Sequence, residues 1–392
     1  MRIFGGLVVT ADGARRGDVE IAGPEPDLDA SGCVLLPGGV DPHTHPLADL
    51  ATAGAEALAA GTTTLVAFTA PQPGEAPAAA YRRARETLSQ TPAHVVLHPA
   101  VWEPDRLRRD DLVALQQAGA RAIKLYLAFS ELGMRTSDRT LYETLRDGSA
   151  LGLLVRVHCE NDDAIQALTD EAIAAGRTGV DGFVASRPPL VEEEAVARTL
   201  ALARLADAPV YVVHLTTADS LELVRAARRR GQTVWAEACT HHLLLDDGCY
   251  ASAEPDRFLV VPPLRPRADV EALWDGVADG TLDAIGSDHA TAPYRPPFAT
   301  DDFRSFAYGF GGAGVRVPLV LSEGVRRGVP LERLAHLLAT GPARAFGLGE
   351  RQGDVVVWNP EAERSVEEPP FAGVHARGAV RDVFVSGRRA HC

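Results

Sequence analysis

Eight short apolar, β-branched runs recur along the chain, each followed by a segment of helical spacing. The runs are VLLPGGVDPHTH, TTTLVAF, HVVLHPAV, AIKLYLAF, LLVRVHCE, VYVVHL, TVWAEAC and LDAIGSDH. Between them lie stretches such as LADLATAGAEALAAG, PAAAYRRARETLSQ, DDLVALQQAGA, DDAIQALTDEAIAAG, VEEEAVARTLALARLAD and DSLELVRAARRRG. Their apolar residues repeat at helical intervals, and many end at Gly or Asp-Ala-Pro stops. Successive parallel strands need a crossover between them, so eight alternations predict an α/β fold of the (β/α)8 TIM-type barrel class. Catalytic groups in such a barrel come from the C-terminal ends of the strands.

The two chain ends fall outside this alternation. Residues 1–36 (IFGGLVV, DVEIAG) and 350–392 (GDVVVWN, AVRDVFVSGRRA) read as short strands with turn signals. Neither end alone buries a sheet face, so they are predicted to pair into one small β-sandwich-like domain beside a barrel of residues 37–349. The segment TAPYRPPFATDDFRSFAYGFGGAG, after the eighth run, is too long and too rich in Pro, Gly and aromatics for a simple connector. Long loops at a barrel mouth are usually functional.

Composition narrows the partners. A formal net charge of -14 argues against nucleic acid or an anionic membrane surface, which need a basic field. Five cysteines are scattered without CxxC spacing, indicating neither a disulfide framework nor a cysteine zinc site and fitting a reducing cytoplasm. The N-terminus shows no secretory pattern, and no apolar run is long enough to span a bilayer.

The chemistry gathers at the strand ends. In PGGVDPHTHP, His43 and His45 share one face of an extended strand, because residues i and i+2 point the same way. Lys124 lies in the fourth run, His158 ends the fifth, His214 the sixth, and Asp288 the eighth. One histidine at a strand end is more often structural than a ligand; four with an aspartate at one mouth point to metal. Imidazoles and carboxylates suit zinc, or manganese and similar ions, with a position left open for water. Lys124 fits poorly, since an ammonium cannot ligate a cation, and by itself reads as an ion-pair partner of Asp288 or Glu160. His94, His98, His336, His375 and His391 read as structural or surface, with His241, His242 and His289 undecided.

PGGVDPHTH, AIKLYLAF, VHCEND, APVYVVHLTTADSLELVRAARRRGQTVWAEACTHHLLL, VPPLR, ALWDGVADGTLDAIGSDH and LSEGVRRGVPLERLAHLLATGPARAFGL together resemble the amidohydrolase superfamily. The likeness covers nearly the whole chain. It is to the cyclic amide hydrolases, dihydropyrimidinase and hydantoinase first, with dihydroorotase and allantoinase close by. The resemblance implies two divalent metal ions bridged by a carboxylated Lys124, whose carbamate turns the cation into an oxygen ligand. It assigns His43, His45 and Asp288 to one ion and His158 and His214 to the other. It further implies a metal-bridging water as nucleophile, Asp288 as general acid and base, a small cyclic ureide or imide as substrate, no organic cofactor, and a homo-oligomer, dimer or tetramer.

The chain departs from that pattern around the substrate. The tyrosine that supports the oxyanion in hydantoinases falls at Phe129, which has no hydroxyl, so Tyr126 or Tyr308 is expected to substitute, or the metals act alone. Val261 stands where relatives usually offer Ser or Asn. Both changes predict a more apolar or differently shaped ring pocket. Pro46 and Leu47 occupy positions where dihydroorotases place a carboxylate-binding arginine, which counts against dihydroorotate, although THHLLL looks dihydroorotase-like. Arg265, Arg304 and Arg316 read as ion-pairing rather than substrate residues. A catalytically inactive, dihydropyrimidinase-related assembly protein is the alternative of another class, and the filled ligand positions speak against it.

Overall fold

A computed structural model describes residues 1–45, 50–86, 88, 91–290, 302–306, 308–349 and 351–390. Pro46, Leu47, His391 and the first part of the long segment after the eighth run lie outside the described residues. The first four strands are β1 (Arg2–Thr10), β2 (Gly13–Glu20), β3 (Leu28–Asp29) and β4 (Val34–Pro37). Eight strands matching the eight runs follow: β5 (Gly39–His45), β6 (Thr62–Phe68), β7 (His94–His98), β8 (Ala122–Tyr126), β9 (Leu154–His158), β10 (Val210–Val212), β11 (Val234–Cys239) and β12 (Ala284–Gly286). The chain closes with β13 (His289–Ala290), β14 (Val355–Ser365), β15 (His375–Val385) and β16 (Arg388–Arg389).

The eight central strands form two parallel arcs, β5-β6-β7, with β13 paired beside β5, and β8-β9-β10-β11-β12. Between the arcs, Lys124 N donates to Pro99 O (2.8 Å) and Val101 N to Lys124 O (3.1 Å). Every residue of β6, β8 and β9 is buried, as expected for strands covered on both faces, and this is why they read as continuous apolar runs. Helices such as Asp138–Ala150, Asp162–Ala174 and Ala218–Arg229 cover the outer face. Ser137, Asn161 and Thr217 cap them by accepting from the backbone N–H three residues on. Among the described residues no helix is long and apolar enough to cross a membrane.

The first run is divided between two sheets, where the sequence reads as one strand. β4 pairs antiparallel with β14 and parallel with β1, in a seven-stranded sheet ordered β16-β15-β14-β4-β1-β2 with β3 beside β1. β5 belongs to the parallel arc. Gly38 makes the break: its N–H donates to Asp354 O (3.0 Å), while Gly39 N–H donates to Gly61 O (2.9 Å). A Cβ on Gly38 would lie 2.3 Å from Thr63 Oγ1, so the crossing requires glycine.

Beneath the arcs a fully buried Arg316 ties three elements together. Its guanidinium donates to Ile285 O (2.9 Å) and Thr62 Oγ1 (3.0 Å) and lies 3.7 Å from the buried Asp41 carboxylate. Burial pushes the Asp41 carboxyl above its ordinary range, and Arg316 opposes that rise. Arg316→Met leaves a buried carboxylate without its cation, and the expected loss is about 3–5 kcal/mol of unfolding free energy, read by chemical denaturation.

Candidate active site

Strand geometry sends the six side chains singled out from sequence to one place. His43 and His45 stand two residues apart on β5, Lys124 and Tyr126 two apart on β8, and His158 ends β9. His214 and Asp288 sit just beyond β10 and β12. All six line a single cavity of about 540 Å³, together with Tyr126, Phe129, Val261 and Tyr308. His43 Nε2 and His45 Nε2 lie 3.2 and 3.3 Å from the same Asp288 oxygen, Oδ1. Opposite them, His158 Nδ1 is 2.9 Å from His214 Nε2, and the His43 and His214 rings stack at 5.4 Å. His214 (φ 36°), Asp288 (φ 50°) and Phe129 (φ 70°) hold left-handed backbone conformations, a cost that non-glycine residues meet mainly where a site demands it.

Two buried glutamates orient these histidines. Glu237 Oε1 meets His43 Nδ1 at 2.6 Å, leaving Nε2 to face Asp288, and Glu160 Oε2 meets His158 Nε2 at 2.8 Å, leaving Nδ1 to face His214. Glu237 also accepts from Tyr211 Oη (2.7 Å), Arg156 Nη2 (3.2 Å) and His214 N (3.3 Å). The role of Glu237 was missed in the sequence; its signal was a lone carboxylate inside the apolar run TVWAEAC, facing the same way as Cys239. Glu160 pairs with Arg187 (2.9 Å) and His158, and no ion pair to Lys124 is formed among the described residues.

The donor set fits divalent cations: two imidazole nitrogens and a carboxylate oxygen on one side, two facing imidazole nitrogens on the other, and a lysine without a carboxylate partner beside them. The undecided residues fall elsewhere. His241, His242 and His289 are buried but do not line the cavity, and His289 Nδ1 accepts from Gly312 N (3.2 Å). Arg265 donates to Thr216 Oγ1 (2.9 Å) and Arg187 O (2.6 Å), and Arg304 pairs with Asp302 at the surface. Tyr308 lines the cavity, but its hydroxyl donates to Phe303 O.

The amidohydrolase family model matches residues 34–390. The chain belongs to the amidohydrolase family. It is 34% identical to a D-hydantoinase of Ralstonia pickettii, over 98% of this chain and 94% of that protein. It is 32% identical to a D-phenylhydantoinase of Escherichia coli O1:K1 / APEC, over 100% of this chain and 94% of that one. Among solved structures, D-hydantoinase from Bacillus sp. AR9 superposes with a TM-score of 0.93 at 30% identity, covering 99% of this chain and 94% of its own. Dihydropyrimidinase from Brevibacillus agri NCHU1002 gives the same values. These similarities put the chain in the hydantoinase-like group of cyclic amide hydrolases, and it is an enzyme of that type.

Burial controls protonation in this amidohydrolase site. Desolvation, reinforced by the Arg156 guanidinium, pushes the Lys124 amine down to about 7, so a neutral, nucleophilic amine is accessible near neutral pH. Burial would raise the Asp288 carboxyl, but His43, His45 and His214 outweigh it and hold the group well below the carboxylate range. His43 is held at about 4 by burial, against the pull of Asp288 and Glu237. Burial holds His241 and His336 at about 4 as well.

The linkage has a definite sign. Unfolded, these three imidazoles protonate near their ordinary 6.5; folded, they stay neutral down to about 4. Within that window the unfolded state binds more protons, so stability falls as pH is lowered. The thermal midpoint of metal-free protein is expected to drop steadily from pH 6.5 toward 4, and a flat midpoint across the window would contradict this account.

Proposed function

We propose that this amidohydrolase is a binuclear metal enzyme that opens the C–N amide bond of a cyclic ureide or imide, of the hydantoin or dihydropyrimidine kind. The observation that carries the reading is the meeting of His43, His45 and Asp288 at one side of the cavity and His158 with His214 at the other, with the buried Lys124 lining the same space. His43, His45 and Asp288 would hold one ion and His158 and His214 the second, zinc first and manganese or similar ions next. Lys124, carboxylated, would join both. A low Lys124 pKa supports this, because only a neutral amine takes up carbon dioxide to form a carbamate. Bound ions would supply Lewis acidity and bring a water toward neutrality in pKa.

The protein's own groups perform the rest. Asp288, ionised at neutral pH, takes the proton of the attacking water and delivers it to the leaving ring nitrogen. Phe129, Trp102, Leu132, Met134, Val260 and Val261 line the same cavity, Phe129 with its ring centroid 4.9 Å from that of His158, which supports an apolar, bulky ring substituent. Phe129 lacks a hydroxyl and Tyr308 spends its own on Phe303 O, so Tyr126 remains to support the developing oxyanion.

We read the two parallel arcs as one closed (β/α)8 barrel and residues 1–36 with 350–392 as a small β domain. The shared sheet of both chain ends supports the second reading. Among the described residues the cysteines Cys33, Cys159, Cys239 and Cys249 are free, which supports a cytoplasmic setting. Leu190 (71% exposed) and Leu205 (70%), at either end of helix Pro189–Leu205, support a homo-oligomer.

A ring-opening panel of hydantoin, 5-phenylhydantoin, dihydrouracil, allantoin, dihydroorotate and succinimide tests the substrate class. Turnover is expected on the hydantoins and dihydrouracil, with the phenyl compound preferred over the parent; turnover on dihydroorotate alone, or on none, refutes the reading. Lys124→Ala should lose about two divalent ions per chain by elemental analysis, together with activity, and full activity without this lysine excludes its bridging role. Tyr126→Phe should lower kcat by roughly 10²-fold with KM little changed, and an unaltered kcat removes Tyr126 from the chemistry.

A further inference from the structure

A second cluster of donor side chains lies at the end of β11 and just beyond it, outside the cavity. Cys239 is the last residue of that strand, and His241 and His242 follow in the short helix Thr240–Leu244. All three are buried, at 0%, 0% and 2% exposure. One donor atom from each, the Cys239 sulfur and a ring nitrogen of each histidine, lies within 4.8 Å of the other two.

The ring nitrogens supply an independent observation. Among the described residues, neither nitrogen of His241 has a hydrogen-bond partner, nor does Nδ1 of His242. Buried polar atoms are seldom left so, and three on adjacent residues call for an occupant. His242 Nε2 lies 3.0 Å from Pro262 O, and a carbonyl can only accept, so Nε2 carries the proton and Nδ1 keeps a lone pair. That is the arrangement of a metal-ligating histidine, whose second nitrogen donates to a backbone carbonyl. Thiolate with two imidazoles is a donor set for zinc and similarly soft divalent ions, whereas the cavity offers nitrogen and oxygen donors only.

We propose that Cys239, His241 and His242 form a separate site for one divalent cation of the zinc class. Binding exchanges the thiol proton for the metal: the Cys239 S–H bond breaks, the sulfur pair bonds the cation, and one proton is released to solvent. The ion ties the end of β11 to helix Thr240–Leu244. Through His242 and Pro262 it also steadies Val260 and Val261, which line the cavity. This role is structural and uses none of the cavity ligands.

Cobalt(II) loading of the full-length protein tests the site, because a thiolate ligand gives a near-ultraviolet charge-transfer band that histidine and carboxylate ligands do not. The band is expected in wild type, in Lys124→Ala, and not in Cys239→Ser. His241→Gln should weaken cobalt binding at least about tenfold in a titration followed at that band, which keeps the test decisive where Cys239→Ser fails to fold. A cobalt-saturated wild type without the band, a band that survives Cys239→Ser, or unchanged affinity in His241→Gln overturns the proposal. A chain whose cavity holds no ion would still show the band, so this inference and the binuclear reading fail separately.

Discussion

One buried carboxylate organises the centre of the molecule. Glu237, with no exposed surface, accepts from His43 on β5, Arg156 on β9, Tyr211 on β10 and the backbone of His214. Burial alone would raise its pKa, yet His43, Arg156 and Tyr211 together bring it below the ordinary value, so the group stays ionised. Four donors on one anion polarise each other and fix their own orientations. The His43 tautomer, the position of its Nε2 beside Asp288, and the seating of the His214 backbone all follow from this contact.

Around that anchor the site is assembled from groups that burial has stripped of charge or forced into a partnership. Arg156 sits among the rings of Phe68, Tyr211 and Phe346 at 4.6 to 4.8 Å, and its positive field lowers the affinity of Lys124 for a proton. Lys124 is thereby a poor cation, even though the Glu237 and Asp288 carboxylates pull the other way. Left-handed backbone at His214 and Asp288 is the counterpart in conformation: the strands stop, and the side chain is turned inward by a φ that a regular strand would not give.

Much of this was legible in sequence because period and position carry it. Alternating runs located all eight central strands, and the two-residue repeat placed His43 with His45 on one face. The division of the first run at Gly38 was not legible, since apolar residues on both sides of it have the same strand propensity and the sheet that each joins is settled by partners more than 300 residues apart in the case of β4 and β14. Glu237, Glu160 and Arg156 appeared as charges in apolar runs, but a charge in a strand does not name its partner. His241 and His242 stayed undecided in the sequence and lie in a short helix, because a short apolar segment does not reveal where its strand ends.

The cavity separates two kinds of constraint. Its histidines, Lys124 and Asp288 come from strand ends held by backbone ladders and by Glu237, so moving one of them requires moving a strand. Its apolar wall comes from connecting segments: Trp102 after β7, Phe129 at the start of a 3₁₀ turn, and Val260 and Val261 following the turn Pro255–Phe258. Side chains there change without disturbing the ladders, because loop backbone is anchored at its ends and not along its length. Phe129 puts a ring without a hydroxyl on a connecting segment, whereas Tyr126 carries its hydroxyl on the strand β8. The strand hydroxyl shares no segment with the apolar wall, so the wall can change while the groups on the strands stay in place.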